Sequence, residues 1–309
     1  MLRSLLLYLA QATWAKSWVM RLGIAQRTAY RFVAGDTLDD AMIVVRNLNQ
    51  KGMDVTLDYL GESVFDEASA REAADAYVTM LDCIAAEDVN ATASLKLTQL
   101  GLGVSEALCL DNLRRILTCA RGHGNHITID MEGSDTTDAT LDVFRTLRAE
   151  GFDNVGIVIQ AYLYRSDADL RALAAEGSFV RLCKGAYKEP PDRAFAEKTD
   201  VDANYVHLTQ QFLSAAHCEQ GAYLGIATHD EAMIRAAQAH IRAQSIPSTC
   251  FEFQMLYGIR ARLQQQIRDD GYRIRLYVPY GTQWYPYFMR RLAERPANVW
   301  FILSNFFRR

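Results

Sequence analysis

No CxxC pair occurs among the six cysteines of this 309-residue chain, Cys83, Cys109, Cys119, Cys183, Cys218 and Cys250. That excludes redox dithiol and zinc-ribbon spacings, and several of these thiols sit inside apolar elements, as in a reducing cytoplasm. Long hydrophobic runs are also missing. The N-terminal stretch MLRSLLLYLAQATWAKSW is apolar for about eight residues before Gln11, against about 20 needed to span a bilayer. No clean small-residue cleavage site follows it, so a secretory leader is not expected. Leu2, Leu5, Leu6 and Leu9 recur at helical spacing, so this helix either packs against the rest of the fold or rests on a membrane surface. Excess charge of one sign is absent: a net charge of −4 and a pI near 5.9 leave no footprint for nucleic acid. No GxGxxG is present, since Gly101-x-Gly103 lacks its third glycine, and no HExxH occurs. A Rossmann dinucleotide fold and a zinc hydrolase are therefore poorly supported.

What is present is a repeat. Eight short apolar runs carry the chain: Val55–Glu62, Ala93–Gly101, His126–Gly133, Asn154–Tyr162, Phe179–Tyr187, Ala222–Asp230, Thr249–Gly258 and Arg273–Gly281. Amphipathic stretches such as Ser69–Ala85, Glu106–Ala120, Thr137–Glu150 and Thr199–Glu219 lie between them. Strand–helix alternation repeated eight times predicts an α/β fold of the (β/α)8 TIM-like barrel kind, about 250 residues long, with an N-terminal helical extension. Residues 1–53 read as helices packing on the barrel, with Asp36 or Thr37 capping Leu38–Gln50. Residues 54–309 hold the barrel, a last helix starting near Pro286, and a short tail from Ala297.

Active sites of such barrels sit at the C-terminal strand ends, which here carry Glu62, Lys96, Asp130, Gln160, Arg181, Lys184, His229, Gln254 and Tyr277. On the last helix Tyr287, Arg290, Arg291 and Glu294 fall at i, i+3, i+4 and i+7, broadly on one face. Two guanidinium groups beside a phenol can clamp a small carboxylate; the same spacing also suits a solvated face with an Arg290–Glu294 ion pair. Lys96 alternates with Leu95 and Leu97, and a lysine among core positions is costly unless paired, with Asp130 and Glu62 as candidate partners. The alternative is a lysine turned outward between strand and helix. Arg181, Lys184 and the small pair Gly185-Ala186 suit an electron-rich ring or a phosphate. Cys119, His123 and His126 could ligate a metal, but they lie at the N-terminal end of the third strand, away from the chemistry, and no metal is expected.

The strand ends resemble those of the proline dehydrogenases, flavoenzymes with a distorted (β/α)8 barrel. The resemblance runs from Asp54 to Asn298 through LGE, LKL, IDMEGSD, QAY, RLCKGAY, ATHD, FEFQMLYG and YVPYG…YPYFMRRLAERPAN, in order. It implies oxidation of L-proline to Δ1-pyrroline-5-carboxylate by hydride transfer to FAD, with ubiquinone or menaquinone as membrane acceptor. The chain ends without an aldehyde dehydrogenase segment, so the monofunctional type is expected, with a separate pyrroline-5-carboxylate dehydrogenase. The location implied is cytoplasmic, with peripheral contact at the inner face of the membrane open to the N-terminal helix.

Residue by residue, the resemblance implies that Lys96, Arg290 and Arg291 hold the proline carboxylate. Tyr187, Tyr277, Tyr287, Ala186 and Leu256 enclose the ring, Asp130 orients that wall, and Glu62 pairs with Arg290 as a gate. It places Arg181 near the flavin N5, with Met131, Gln160, Cys183, Gly185, Ala186, Thr228, His229, Gln254, Arg291 and Glu294 on FAD. The implied catalytic group is Lys96, Asp130, Arg181 and Tyr277; tyrosine at 277 is the type associated with proline rather than hydroxyproline. Lys188 and Asp230 depart from the family pattern at the cofactor region, and the segment around Lys198 is not aligned. Two rival classes remain: a Schiff-base lyase using Lys96 or Lys184, and a non-catalytic amino-acid-binding barrel.

Overall fold

A computed structural model describes residues 29–61, 63–187 and 189–294, the last five as backbone only. Eight parallel strands close in sequence order into one barrel, β8 pairing back on β1. They are β1 Asp54–Tyr59, β2 Ala91–Leu95, β3 Ile127–Ile129, β4 Val155–Gln160, β5 Phe179–Cys183, β6 Tyr223–Ala227, β7 Phe251–Leu256 and β8 Ile274–Tyr280. Helix α1, Leu38–Gln50, precedes β1. Helices α2 Glu67–Ala86, α3 Glu106–Gly122, α4 Thr137–Ala149 and α5 Ser166–Ala175 follow β1 to β4, and α6 Lys198–Phe212 with α7 Ala215–Glu219 follow β5. Then α8 Glu231–Ala243 follows β6, α9 Ala261–Asp269 follows β7, and α10 Trp284–Glu294 follows β8. The predicted (β/α)8 architecture is the one observed.

Two alternating faces explain why these strands roll up. Val55, Leu57, Ala93, Leu95, Ile127, Ile129, Val180, Leu182, Leu224 and Ile226 are fully buried. They form the apolar face that takes the helices, at about 25 cal/mol per Å2 removed from water. The intervening positions carry Thr56, Asp58, Ser94, Thr128, Arg181, Glu252, Gln254 and Arg275, all buried as well. Arg181 on β5 reaches Ser94 on β2 at 3.0 Å, so this polar face must line the barrel interior. Buried polar groups are tolerable only when paired, and here the partners come from neighbouring strands, as Arg275 for Glu252, and from across the barrel, as Ser94 for Arg181.

Local signals behave unevenly. Thr37 caps α1 through a reciprocal pair, accepting from the Asp40 amide at 3.2 Å while Asp40 accepts from the Thr37 amide at 3.1 Å. The single helix expected over Thr199–Glu219 is instead two. Leu213 turns inward, 1% exposed, and Ser214 starts a new helix by accepting from the His217 amide. Lys96 and Asp130 stand one residue beyond β2 and β3 rather than within them. Gly185 is required: at φ +110° a Cβ would lie 2.4 Å from the Tyr162 ring. All six cysteines are free thiols. No helix among the described residues is long and apolar enough to cross a membrane. Leu2, Leu5, Leu6 and Leu9 lie outside the described residues.

His126 does not join Cys119 and His123 but turns against Phe179, ring centroids 4.5 Å apart. Its Nε2 is buried without a hydrogen-bond partner among the described residues, and burial, then the Arg275 charge, lower its pKa from 6.5 to about 4. The sign follows from proton counting. Below about pH 6.5 the unfolded chain protonates this ring and the folded one does not. Stability is therefore full above pH 6.5 and falls by up to about 3 kcal/mol as pH drops towards 4. Denaturant titrations across that range should show this slope in the wild type and a shallower one in His126→Leu; identical slopes would refute it.

Candidate active site

The polar interior rises to a cavity of about 410 Å3 at the C-terminal strand ends. Its centre is a cluster of alternating charge. Lys96 Nζ lies 2.9 Å from Asp58 Oδ1, 3.4 Å from Asp130 Oδ2 and 3.5 Å from Tyr277 Oη. Tyr277 donates to Asp130 Oδ2 at 2.8 Å, and Ser94 donates to Asp130 Oδ1 at 2.7 Å. Arg181 closes the ring: Nη1 reaches Asp130 at 2.9 Å, and Nε donates to Gln254 Oε1 at 2.6 Å. The guanidinium also stands 5.2 Å from the centre of the Tyr277 ring. Two cations and two carboxylates cancel within this cluster.

Their mutual pairing sets their protonation. Burial would lower the Lys96 ammonium, but Asp58 and then Asp130 outweigh it and raise it above its ordinary value. Burial opposes ionisation of Asp130, yet Lys96, Arg181 and hydrogen bonds from Ser94 and Tyr277 hold its carboxyl below the usual range. Burial, with Asp130 beside it, keeps the Tyr277 phenol protonated. The Cys183 thiol is pushed up to about 12 by burial and is no nucleophile near neutrality. A lysine held protonated is equally unsuited to attack a carbonyl, which counts against Schiff-base chemistry at Lys96.

The other expected residues meet in the same cavity. Met131, Gln160, Gly185, Ala186, Tyr187, Thr228, His229, Leu256 and Tyr287 line it together with Cys183, Gln254 and the cluster. Gln160 donates its amide to the Glu132 carbonyl at 2.8 Å. His229 Nε2 accepts from the Leu256 amide at 3.2 Å, which puts the proton of the neutral ring on Nδ1. Lys184 lines the wall and pairs with Asp202 and, at 2.9 Å, with Asp230. Burial raises and Lys184 lowers the Asp230 carboxyl, to about 2 on balance. Lys198 joins the same two carboxylates. Glu62 and Lys188 lie outside the described residues, as do the side chains of Arg290, Arg291 and Glu294; the backbone places those three on α10.

Asp58 and Ser94 are not strand-end residues and so fall outside the set the sequence pointed to. Both announce themselves as polar residues at period two, Thr56-x-Asp58 and Thr92-x-Ser94-x-Lys96, in otherwise apolar strands. An anion, a flat ring, or both would find partners here. The Arg181 Nη2 makes no hydrogen bond to the described residues, so it keeps donors for an electron-rich ring or anion, and Gly185-Ala186 leaves room for one. Those features fit an isoalloxazine, and the volume fits a ring system with a small substrate.

The proline dehydrogenase family model matches residues 41–303. Proline dehydrogenase 1 of Bacillus subtilis is 43% identical over 310 residues, covering 99% of each chain. The proline dehydrogenase of Deinococcus radiodurans is 42% identical over 281 residues, 90% of this chain and 89% of that one. The chain belongs to the proline dehydrogenase family. A crystal structure of proline utilization A from Bdellovibrio bacteriovorus, inactivated by N-propargylglycine, superposes with a TM-score of 0.81 at 28% identity. It covers 87% of this chain, which spans 33% of that longer protein. Among the family's strand-end residues named from the sequence, every one whose side chain is described lines the one cavity.

Proposed function

We propose that this chain oxidises L-proline to Δ1-pyrroline-5-carboxylate with FAD as its cofactor, the first step of proline catabolism. The observation that carries the reading is the Lys96–Asp58–Asp130–Arg181 cluster at the floor of a cavity walled by Tyr187, Leu256, Tyr277 and Tyr287. FAD, when bound, supplies the acceptor: hydride leaves C5 of proline for N5, and ubiquinone or menaquinone at the membrane takes the electrons on. Every remaining task falls to the protein.

Lys96 neutralises the substrate carboxylate, with Arg290 and Arg291 of α10 completing the clamp and Glu62 gating it through Arg290. Tyr277, fixed by its bond to Asp130, and Tyr187, Tyr287, Ala186 and Leu256 exclude water and hold the ring in one pose. Positioning of this kind supplies much of what hydride transfer asks of a protein. Arg181, whose Nη2 makes no hydrogen bond to the described residues, would hold the flavin together with Met131, Gln160, Cys183, Gly185, Thr228, His229 and Gln254, which line the same cavity. Arg291 and Glu294 are the further cofactor contacts. A pyrroline-5-carboxylate dehydrogenase takes the product.

The pH dependence can be assigned in advance. Lys96 is raised and Asp130 lowered, so both stay charged throughout pH 6 to 9. The proline amine must lose its proton before hydride leaves, so flavin reduction should quicken as pH rises, and the rise belongs to the substrate. A flat stopped-flow profile over that range would count against this.

An absorption spectrum of the purified protein, taken before and after adding L-proline without oxygen, tests cofactor, substrate and reductive half-reaction together. A flavin band that bleaches supports it. A colourless protein that FAD cannot reconstitute sinks it, and bound flavin that proline leaves oxidised removes proline as substrate.

A further inference from the structure

On the side of the barrel opposite this cavity, where α2 and α3 end, three side chains of different chemistry converge. Asp82 comes from α2, Cys119 from α3, and His123 is the residue that caps α3. Cys119 and His123 are four residues apart, so one helical turn stacks them on the same face towards α2. Asp82 Oδ1 lies 2.7 Å from His123 Nε2 and 3.5 Å from Cys119 Sγ. The three ligand atoms all fall within 4.8 Å of one another, and among the described residues no other such cluster forms.

We propose that Asp82, Cys119 and His123 form a structural site for a zinc-class divalent cation that ties α2 to α3. One oxygen, one sulfur and one nitrogen make a borderline-soft donor set, which favours zinc over magnesium or calcium. Tetrahedral zinc with bonds of about 2.0–2.3 Å puts its ligand atoms roughly 3.3–3.6 Å apart. The aspartate–cysteine separation already has that value. The aspartate–histidine pair must open by about 0.6 Å to admit the ion. Both side chains have the freedom to do so, with Asp82 61% and His123 34% exposed.

Local charge does not oppose the cation. The arginines of α3 are engaged elsewhere: Arg115 pairs with Asp75, Arg114 with Glu150 at 2.7 Å and Asp111 at 2.8 Å, and Arg121 donates to the Gly151 carbonyl at 2.7 Å. Three protein ligands leave one position for water, yet the location argues for stability rather than catalysis. The N-terminal face of a barrel holds the fold together, and the ion here would bridge neighbouring helices at their free ends.

Zinc titration of the chelator-treated, flavin-loaded full chain tests this, with thermal unfolding recorded with and without zinc. Wild type should take up one equivalent and unfold at a higher temperature. Cobalt(II) in place of zinc should give a difference spectrum with thiolate-to-metal charge transfer. Cys119→Ser and His123→Gln should each lose the uptake and the thermal shift, while oxidising proline at the wild-type rate. Their flavin absorption reports that they fold. Absence of stoichiometric uptake by the wild type, or equal uptake by both variants, overturns the proposal.

Discussion

Lys96→Met is expected to lower kcat/KM for L-proline by about 10²–10³-fold, most of it in KM, the cost of truncating one partner of a desolvated charge pair. Methionine keeps much of the stem and removes only the ammonium. With Lys96 present, the charges of Asp58, Asp130, Lys96 and Arg181 cancel, and an incoming carboxylate meets no repulsion. Without it the floor carries a net negative charge and repels the substrate it is proposed to bind. Steady-state kinetics with proline across a wide concentration range would separate the terms. An unchanged KM would remove Lys96 from carboxylate binding.

The same variant should also lose stability, for a reason separable from catalysis. Asp58 is 1% exposed, and among the described residues its hydrogen-bonding partner is Lys96. Breaking a buried ion pair from one side costs about 3–5 kcal/mol, because the remaining charge has no solvent and no counter-ion. Adding Asp58→Asn removes that stranded charge. The double variant should therefore regain most of the stability but only the part of the activity lost to repulsion, because no ammonium is left to pair with the substrate carboxylate. Full recovery of both would mean that Lys96 acts only as the counter-ion of Asp58.

Much of this was legible in the sequence, and the reasons differ by level. The barrel was readable because each strand is a short apolar run separated from the next by an amphipathic stretch, so every strand announces itself independently. The cavity's outer ring was readable because strand ends are where a barrel can expose chemistry. Of the inner floor, Asp58, Ser94, Glu252 and Arg275 were not, although their signal is in the same alternation. Thr56-x-Asp58, Thr128-x-Asp130, Glu252-x-Gln254 and Arg275-x-Tyr277 each place polar side chains on the face opposite the leucines and isoleucines. Which of the two faces turns inward depends on closure of the barrel, and that is a property of all eight strands together. The break at Leu213 likewise needed tertiary packing, since Thr199–Glu219 alone satisfies a helical pattern. Sequence distance groups His126 with Cys119 and His123, whereas in the fold His126 packs on Phe179 and the packing of α2 on α3 brings Asp82 to the other two.

The inner floor makes the second large effect, expected at Glu252→Ala. Glu252 is fully buried on β7, and its carboxylate accepts from Arg275 Nε at 2.7 Å, Gln254 Nε2 at 2.7 Å and Tyr223 Oη at 3.1 Å. Burial would raise its pKa, but Arg275 and these donors hold it below the ordinary range, so it is ionised in the folded chain. Alanine leaves Arg275 with the Val55 carbonyl at 2.9 Å and Asp54 at 3.4 Å. That partial compensation places the expected loss near the lower end of about 3–5 kcal/mol, read as a shift in denaturation midpoint. Activity should fall by a separate route. Gln254 uses one end of its amide on Glu252 and the other to hold Arg181 Nε at 2.6 Å. Losing the first contact frees the amide to turn and loosens the guanidinium, so kcat should drop while KM changes little, because Arg181 is not in the proposed carboxylate clamp. Glu252→Gln separates the two effects: it keeps the volume and an acceptor oxygen for Gln254 but removes the charge that Arg275 needs. It should therefore lose stability and retain kcat. If kcat instead falls equally in both variants, Gln254 is not the link between the buried pair and the active site.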